Sequence, residues 1–114
     1  MQLGRPEGNL LRRARSAELL MPPTLHLITA SPHASHALRD CLQLADPCDT
    51  IVLMDDGAYT LTLEPLAELS NRTFCLAADA QIRGLTAPPG IALIDTATWV
   101  ALAVDCPRCI TWGY

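Results

Sequence analysis

Aromatic side chains are scarce in this sequence, with one Phe, two Tyr and two Trp among 114 residues. The core must therefore be aliphatic, and stacking platforms for nucleic-acid bases are few. Lysine is absent, so all eight cations are arginines, outnumbered by twelve acidic residues for a net charge of −4. That sign opposes an affinity for phosphate backbones, which is built from clustered cations. Direct nucleic-acid binding by this chain is not expected. No apolar run approaches the ~20 residues needed to cross a bilayer, and residues 1–20 lack the apolar segment of a secretory signal. A soluble cytoplasmic protein with no membrane partner is expected. The glycines, Gly4, Gly8, Gly57, Gly84, Gly90 and Gly113, never fall as GxG or in a GK[ST] loop, so the phosphate cradles of dinucleotide and P-loop enzymes are missing. GxSxG, HExxH and EF-hand patterns are missing too. No cofactor is expected. Cysteine is present in an odd number, five, which favours reduced thiols over a disulfide framework.

What is there suffices for one domain: half of the residues are hydrophobic and 18% are charged. Residues 1–20 carry four arginines against two glutamates, with two glycines, a proline and no amphipathic period. They read as an N-terminal extension ahead of a start at Met21, and residues 21–114 as the folded domain. From Thr24 onward, short β-rich runs alternate with helical stretches. Thr24–Ala30 predicts a strand. Ser31-Pro32 then supplies an N-cap and a first-turn proline for a helix whose stripe is Ala34, Ala37, Leu38, Cys41 and Ala45, ended by Asp46-Pro47. Thr50–Met54 is a near-continuous apolar run, as expected of a strand covered on both faces, and Asp55-Asp56-Gly57 is a turn. A weaker helix is expected over Leu63–Leu69 and a third strand over Thr73–Ala78. Asp79 is expected to cap a short helix stopping at Gly84. A fourth strand at Ile91–Ile94, a helix over Asp95–Val104 closed by Pro107, and a last strand at Cys109–Trp112 complete the chain. This order predicts an α/β fold: one parallel sheet of four to five strands flanked by helices and joined by right-handed crossovers.

Few residues carry chemistry. Cys106-Pro-Arg-Cys109 is the one local dithiol motif, but it follows a helix, whereas a reactive CxxC thiol needs a helix N-terminus to stabilise its thiolate. A metal site would need His33 and His36 as the further ligands, and no metal is expected. His26, inside the first strand, reads as a histidine satisfied by a backbone group, and Asp55 and Asp56 as solvated turn formers at a strand's carboxyl end. Cys41, mid-stripe on the first helix, reads as a packed small hydrophobe.

In order, LHLITASP (25–32), LRDCLQLA (38–45), IVLMDDG (51–57), CLAADAQIRGL (75–85), IALIDTATWVALA (91–103) and ITW (110–112) resemble the DsrH/TusB family of sulfur-relay subunits. The resemblance spans residues 24–112. It implies a small α/β accessory subunit of a heterohexamer with DsrE/TusD-like and DsrF/TusC-like chains and a DsrC/TusE-like acceptor downstream. In such a complex persulfide sulfur passes between cysteines, towards 2-thiolation of tRNA wobble uridine or in sulfur oxidation. The principal relay cysteine belongs to the DsrE/TusD-type partner, so this chain is not expected to be catalytic by itself. Cys41 matches the helix cysteine of DsrH-type members and is the candidate persulfide carrier within this chain. The rival expectation is a stand-alone thiol carrier or oxidoreductase using Cys41 or Cys106/Cys109.

Overall fold

The computed structural model describes residues 23–63 and 72–114. Five strands form one wholly parallel sheet: β1 (Thr24–Ile28), β2 (Thr50–Leu53), β3 (Arg72–Leu76), β4 (Ile91–Ile94) and β5 (Arg108–Trp112). Their spatial order is β4-β3-β2-β1-β5. The first four strands step outward in one direction, so right-handed crossovers place their connections on one face. The return from β4 to β5 reverses the direction and carries its helix to the other face.

Two apolar clusters follow from this reversal. On the first face, Leu38 and Cys41 of helix α1 (Ala37–Leu44) and Ala80 of helix α2 (Ala77–Ile82) pack with Ile28, Ile51, Leu53 and Cys75 of the sheet. On the second face, Leu25, Leu27 and Val52 lie with Trp99 and Leu102 of helix α3 (Thr96–Asp105). β1 and β2 are buried along their whole length, as central strands of a doubly covered parallel sheet must be.

α3 is expected at Asp95–Val104 and is found one residue later, with Asp95 as its N-cap accepting from Thr98 N at 2.8 Å. None of its ten residues is buried; Val100 and Val104 are 49% and 77% exposed. α2 ends as expected at Gly84, which has φ +67° and closes a Schellman motif, Leu85 N to Ala80 O and Gly84 N to Gln81 O.

Other boundaries differ from the sequence pattern. Ser31-Pro32 does not open α1. Residues 31–34 form a turn, closed by Ala34 N to Ser31 O, and the helix begins at Ala37, whose N–H is taken by Ser35 Oγ. Ala34 and Ala45 therefore lie outside the helix, while Ala37, Leu38 and Cys41 keep the buried positions expected of the stripe. Asp79 is not a cap. It sits inside α2, which starts two residues earlier, and its carboxylate accepts from Asp55 N at 2.8 Å. The Asp55-Asp56-Gly57 turn continues into a 3₁₀ helix over Asp55–Thr62. Of the helix expected over Leu63–Leu69, residues 64–69 lie outside the described residues.

Candidate functional site

Two polar groupings stand out among the described residues, one buried within the sheet and one at its rim. The first sits in the middle of the sheet. His26, on central strand β1, is 1% exposed and faces the same side as α1. Its Nδ1 accepts from Trp112 Nε1 at 3.0 Å, and its Nε2 lies 2.9 Å from Asp49 Oδ2. An indole nitrogen can only donate, so Nδ1 carries no proton and Nε2–H donates to Asp49. The ring is thus the neutral Nε2–H tautomer, pinned from both sides.

Asp49 precedes β2 and is 5% exposed. Its Oδ1 accepts from Thr24 N at 2.9 Å, and its Oδ2 also accepts from Asp46 N at 3.1 Å. Burial alone would raise its pKa, but the hydrogen bonds from Thr24, His26 and Asp46 outweigh it and hold the carboxyl below its ordinary value. Asp49 therefore ties the start of β1 to the connection leaving α1. Cys41 lies within its field. That thiol is wholly buried and is pushed up to about 12, first by desolvation and then by Asp49. The candidate persulfide carrier is thus a protonated core side chain, as the helical stripe implies.

The second grouping stands at the carboxyl ends of β2 and β3. Arg83, at the end of α2, donates from Nη2 and Nε to Asp56 Oδ1 (3.0 and 3.3 Å) and from Nη1 to the Asp79 carbonyl (3.1 Å). Its guanidinium also lies 5.8 Å from the Tyr59 ring centroid. Asp55 adopts φ +49°, in the left-handed region few non-glycine residues enter, with its N–H held by Asp79. Gly57 follows because the chain passes directly over β1: a Cβ there would meet Ile28 O at 1.9 Å. Asp56 is therefore paired through its carboxylate rather than simply solvated, while Asp55, exposed in the turn as expected, is held through its backbone N–H. Cys75, at this end of β3, is buried, and desolvation followed by the Asp79 charge pushes its thiol to about 11.

Cys106 is buried at the C-cap of α3 and its thiol is raised by desolvation and by Asp105; Cys109 is exposed on β5. The four proposed metal ligands are not brought together. His33 and His36 follow the carboxyl end of β1, whereas Cys106 and Cys109 lie at the amino end of β5, which runs parallel to β1. Among the described residues no group of three or more His, Cys, Asp or Glu is placed to hold a metal ion. His33 instead donates from Nε2 to Thr62 Oγ1 at 2.8 Å, since that hydroxyl donates to Tyr59 O. Sequence reasoning missed Asp49, Asp79 and Tyr59 as partners. For Asp49 the only local hint is its place ahead of an apolar strand.

A family profile described as DsrH like protein matches residues 30–108. No curated protein matches the sequence. Among solved structures the chain is similar to the ychN protein from E. coli, at 16% identity, covering 80% of this chain and 99% of that one with a TM-score of 0.65. At that identity the likeness concerns the fold alone.

Proposed function

The chain belongs to the DsrH-like family of sulfur-relay subunits, and from that premise we propose that it is an accessory subunit of a cytoplasmic heterohexameric sulfurtransferase complex. Its companions are DsrE/TusD-like and DsrF/TusC-like chains, and the sulfur passes to a DsrC/TusE-like acceptor. The relay leads to 2-thiolation of tRNA wobble uridine or to sulfur oxidation.

The observation that carries an accessory role is the state of Cys41. In persulfide transfer the acceptor thiolate attacks the donor's sulfane sulfur, and the donor cysteine leaves as thiolate. Both partners must be accessible, and the acceptor must be deprotonated. Cys41 is 0% exposed, with its thiol held near 12. Within this chain it is suited to packing, and the sulfur-carrying cysteine is assigned to a partner. The uncovered apolar stripe of α3, Ala97, Val100, Ala101 and Val104, also supports a chain that works inside an assembly. No helix among the described residues is long and apolar enough to cross a membrane.

Native mass spectrometry of the protein affinity-purified from its own host tests the reading. A hexamer with two related small chains is expected, with no added sulfur on Cys41. The acceptor that co-purifies distinguishes the two destinations. A monomer without partners overturns the accessory role, and a persulfide on Cys41 overturns the assignment of the carrier to a partner.

A further inference from the structure

The Trp112–His26–Asp49 chain of hydrogen bonds contains an asymmetry that only one of its members can change. Trp112 Nε1–H donates under all conditions, so its bond to His26 exists only while Nδ1 keeps its lone pair. Nε2–H donates to Asp49 whether the ring is neutral or charged. We propose that His26 is a proton-operated latch on the Trp112 indole: a second proton, bound at Nδ1, sets two donors against each other, breaks that hydrogen bond and frees the indole from the first face of the sheet.

The surroundings confine the effect to Trp112. Asp49, from the connection before β2, accepts from Nε2 and gains a charged partner when the ring is protonated, so the imidazole stays anchored at that end. From α1 the titratable group in the field of Asp49 is Cys41, which is uncharged at neutral pH. From the α3–β5 connection it is Cys106, likewise protonated. Ile51 of β2 and Ile110 of β5 flank His26 in register and carry no charge. Arg108 of β5 lies two register positions away, beside Thr24.

Beyond Trp112, the Tyr114 ring stands 6.4 Å from the indole and its hydroxyl donates to Asp40. The backbone of β5 is held separately, by its ladder with β1 and by Thr29 N to Trp112 O at 3.0 Å. Acidification therefore loosens the indole, while β5 stays in the sheet and Tyr114 stays tied by its hydroxyl to Asp40 of α1 and by its carbonyl to Ser35 Oγ.

The test is nitrogen-15 NMR of the full chain from neutral to mildly acidic pH, following the histidine ring nitrogens and the tryptophan indoles, with Trp99→Phe to assign Trp112. At neutral pH the His26 proton is expected on Nε2 and the Trp112 N–H protected from solvent exchange. As His26 titrates, the indole resonance should move with the same midpoint and its protection should fall on the order of tenfold, the equivalent of one hydrogen bond. In His26→Gln, whose side-chain oxygen accepts at any pH, that dependence should vanish; backbone amide spectra establish that the variant is folded. The latch is overturned if the neutral proton resides on Nδ1, if the indole stays protected through the titration, or if the folded chain unfolds before His26 takes up a proton. Should His26→Gln not fold, the first two readings on the native sequence still decide.

Discussion

A cysteine reacts as its thiolate, so the position of each thiol in this fold sets its chemistry. At about 12 against an ordinary 9.0, the Cys41 thiolate is roughly a thousandfold scarcer at neutral pH than that of an unperturbed thiol. Burial adds a steric barrier for Cys41 and equally for Cys75. Brief alkylation at neutral pH should label Cys48 and Cys109 and spare Cys41 and Cys75 until denaturant is added; peptide mass spectrometry reads this directly. Thr60 offers a second test at the same scale. It is wholly buried and its hydroxyl has no hydrogen-bond partner among the described residues. Replacing an unsatisfied buried hydroxyl by a methyl of the same shape removes a desolvation cost, so Thr60→Val should raise stability by about 1 kcal/mol in urea unfolding. The packing of Cys41 is legible from the stripe Ala37, Leu38 and Cys41. The orphan Thr60 is not, because nothing in a DGAYTLT string announces a 3₁₀ helix with a buried side.

Among the elements, the connections after β1 and β2 have the least tolerance. Gly57 passes over the end of β1 so closely that a Cβ would overlap Ile28 O, a backbone atom that cannot swing aside. Gly57→Ala should cost about 3 kcal/mol, measured as a fall in the urea midpoint at unchanged slope. Asp49 plays the corresponding role at the opposite end of the sheet, joining Thr24, Asp46 and His26. Its folded-state pKa lies below the ordinary value of 3.8. The unfolded chain therefore binds the proton first, and the stability Asp49 contributes is complete above that ordinary value and lost as pH falls below it through the lower folded-state value. Asp49→Asn should cost about 2 kcal/mol near neutrality and flatten the acid limb of stability against pH. Sequence signals at this scale succeeded where the stop is local, as at Gly84, and came within one residue at Asp95, which caps the helix expected to begin with it. They failed at Ser31-Pro32, where a local turn closes instead of a helix, and at Asp79, where a tertiary partner decides. The turn at 31–34 lets the chain leave the sheet edge before α1 starts, and Asp79 is drawn to Asp55 N across the fold.

For the whole molecule, the reversal of strand order after β4 leaves, among the described residues, three connections toward one face and one ten-residue helix to cover the other. A helix about 10 Å across spans roughly two strands at their ~4.8 Å spacing, so much of that face depends on what α3 brings. The deepest anchors there are strand residues, Leu25 and Val52, each 0% exposed; α3 itself contributes partly buried Trp99 and Leu102, with buried Cys106 at its C-cap. Leu25→Ala should therefore cost about 3 kcal/mol. Val100→Ser with Val104→Ser should change the stability of the isolated chain by less than about 0.5 kcal/mol each, despite replacing apolar residues on an apolar helix. Equilibrium unfolding of the two variants against the native chain checks the contrast.

The sequence by itself determined the α/β class, the parallel sheet of four to five strands and the inward-facing Cys41, because periodicity, run length and local capping act over a few residues. Its ordered strings also sufficed to place the chain beside the DsrH/TusB family. Tertiary structure alone decided the order of the strands, the separation of His33 and His36 from Cys106 and Cys109, and the pairing of Asp55 and Asp79. It alone, too, made His26 a bridge between Asp49 and Trp112, residues 23 and 86 positions away in the chain. Those contacts depend on which strands become neighbours and which face each helix covers. Nothing local in the sequence encodes that choice, because it is made only when the crossover after β4 turns back across the sheet.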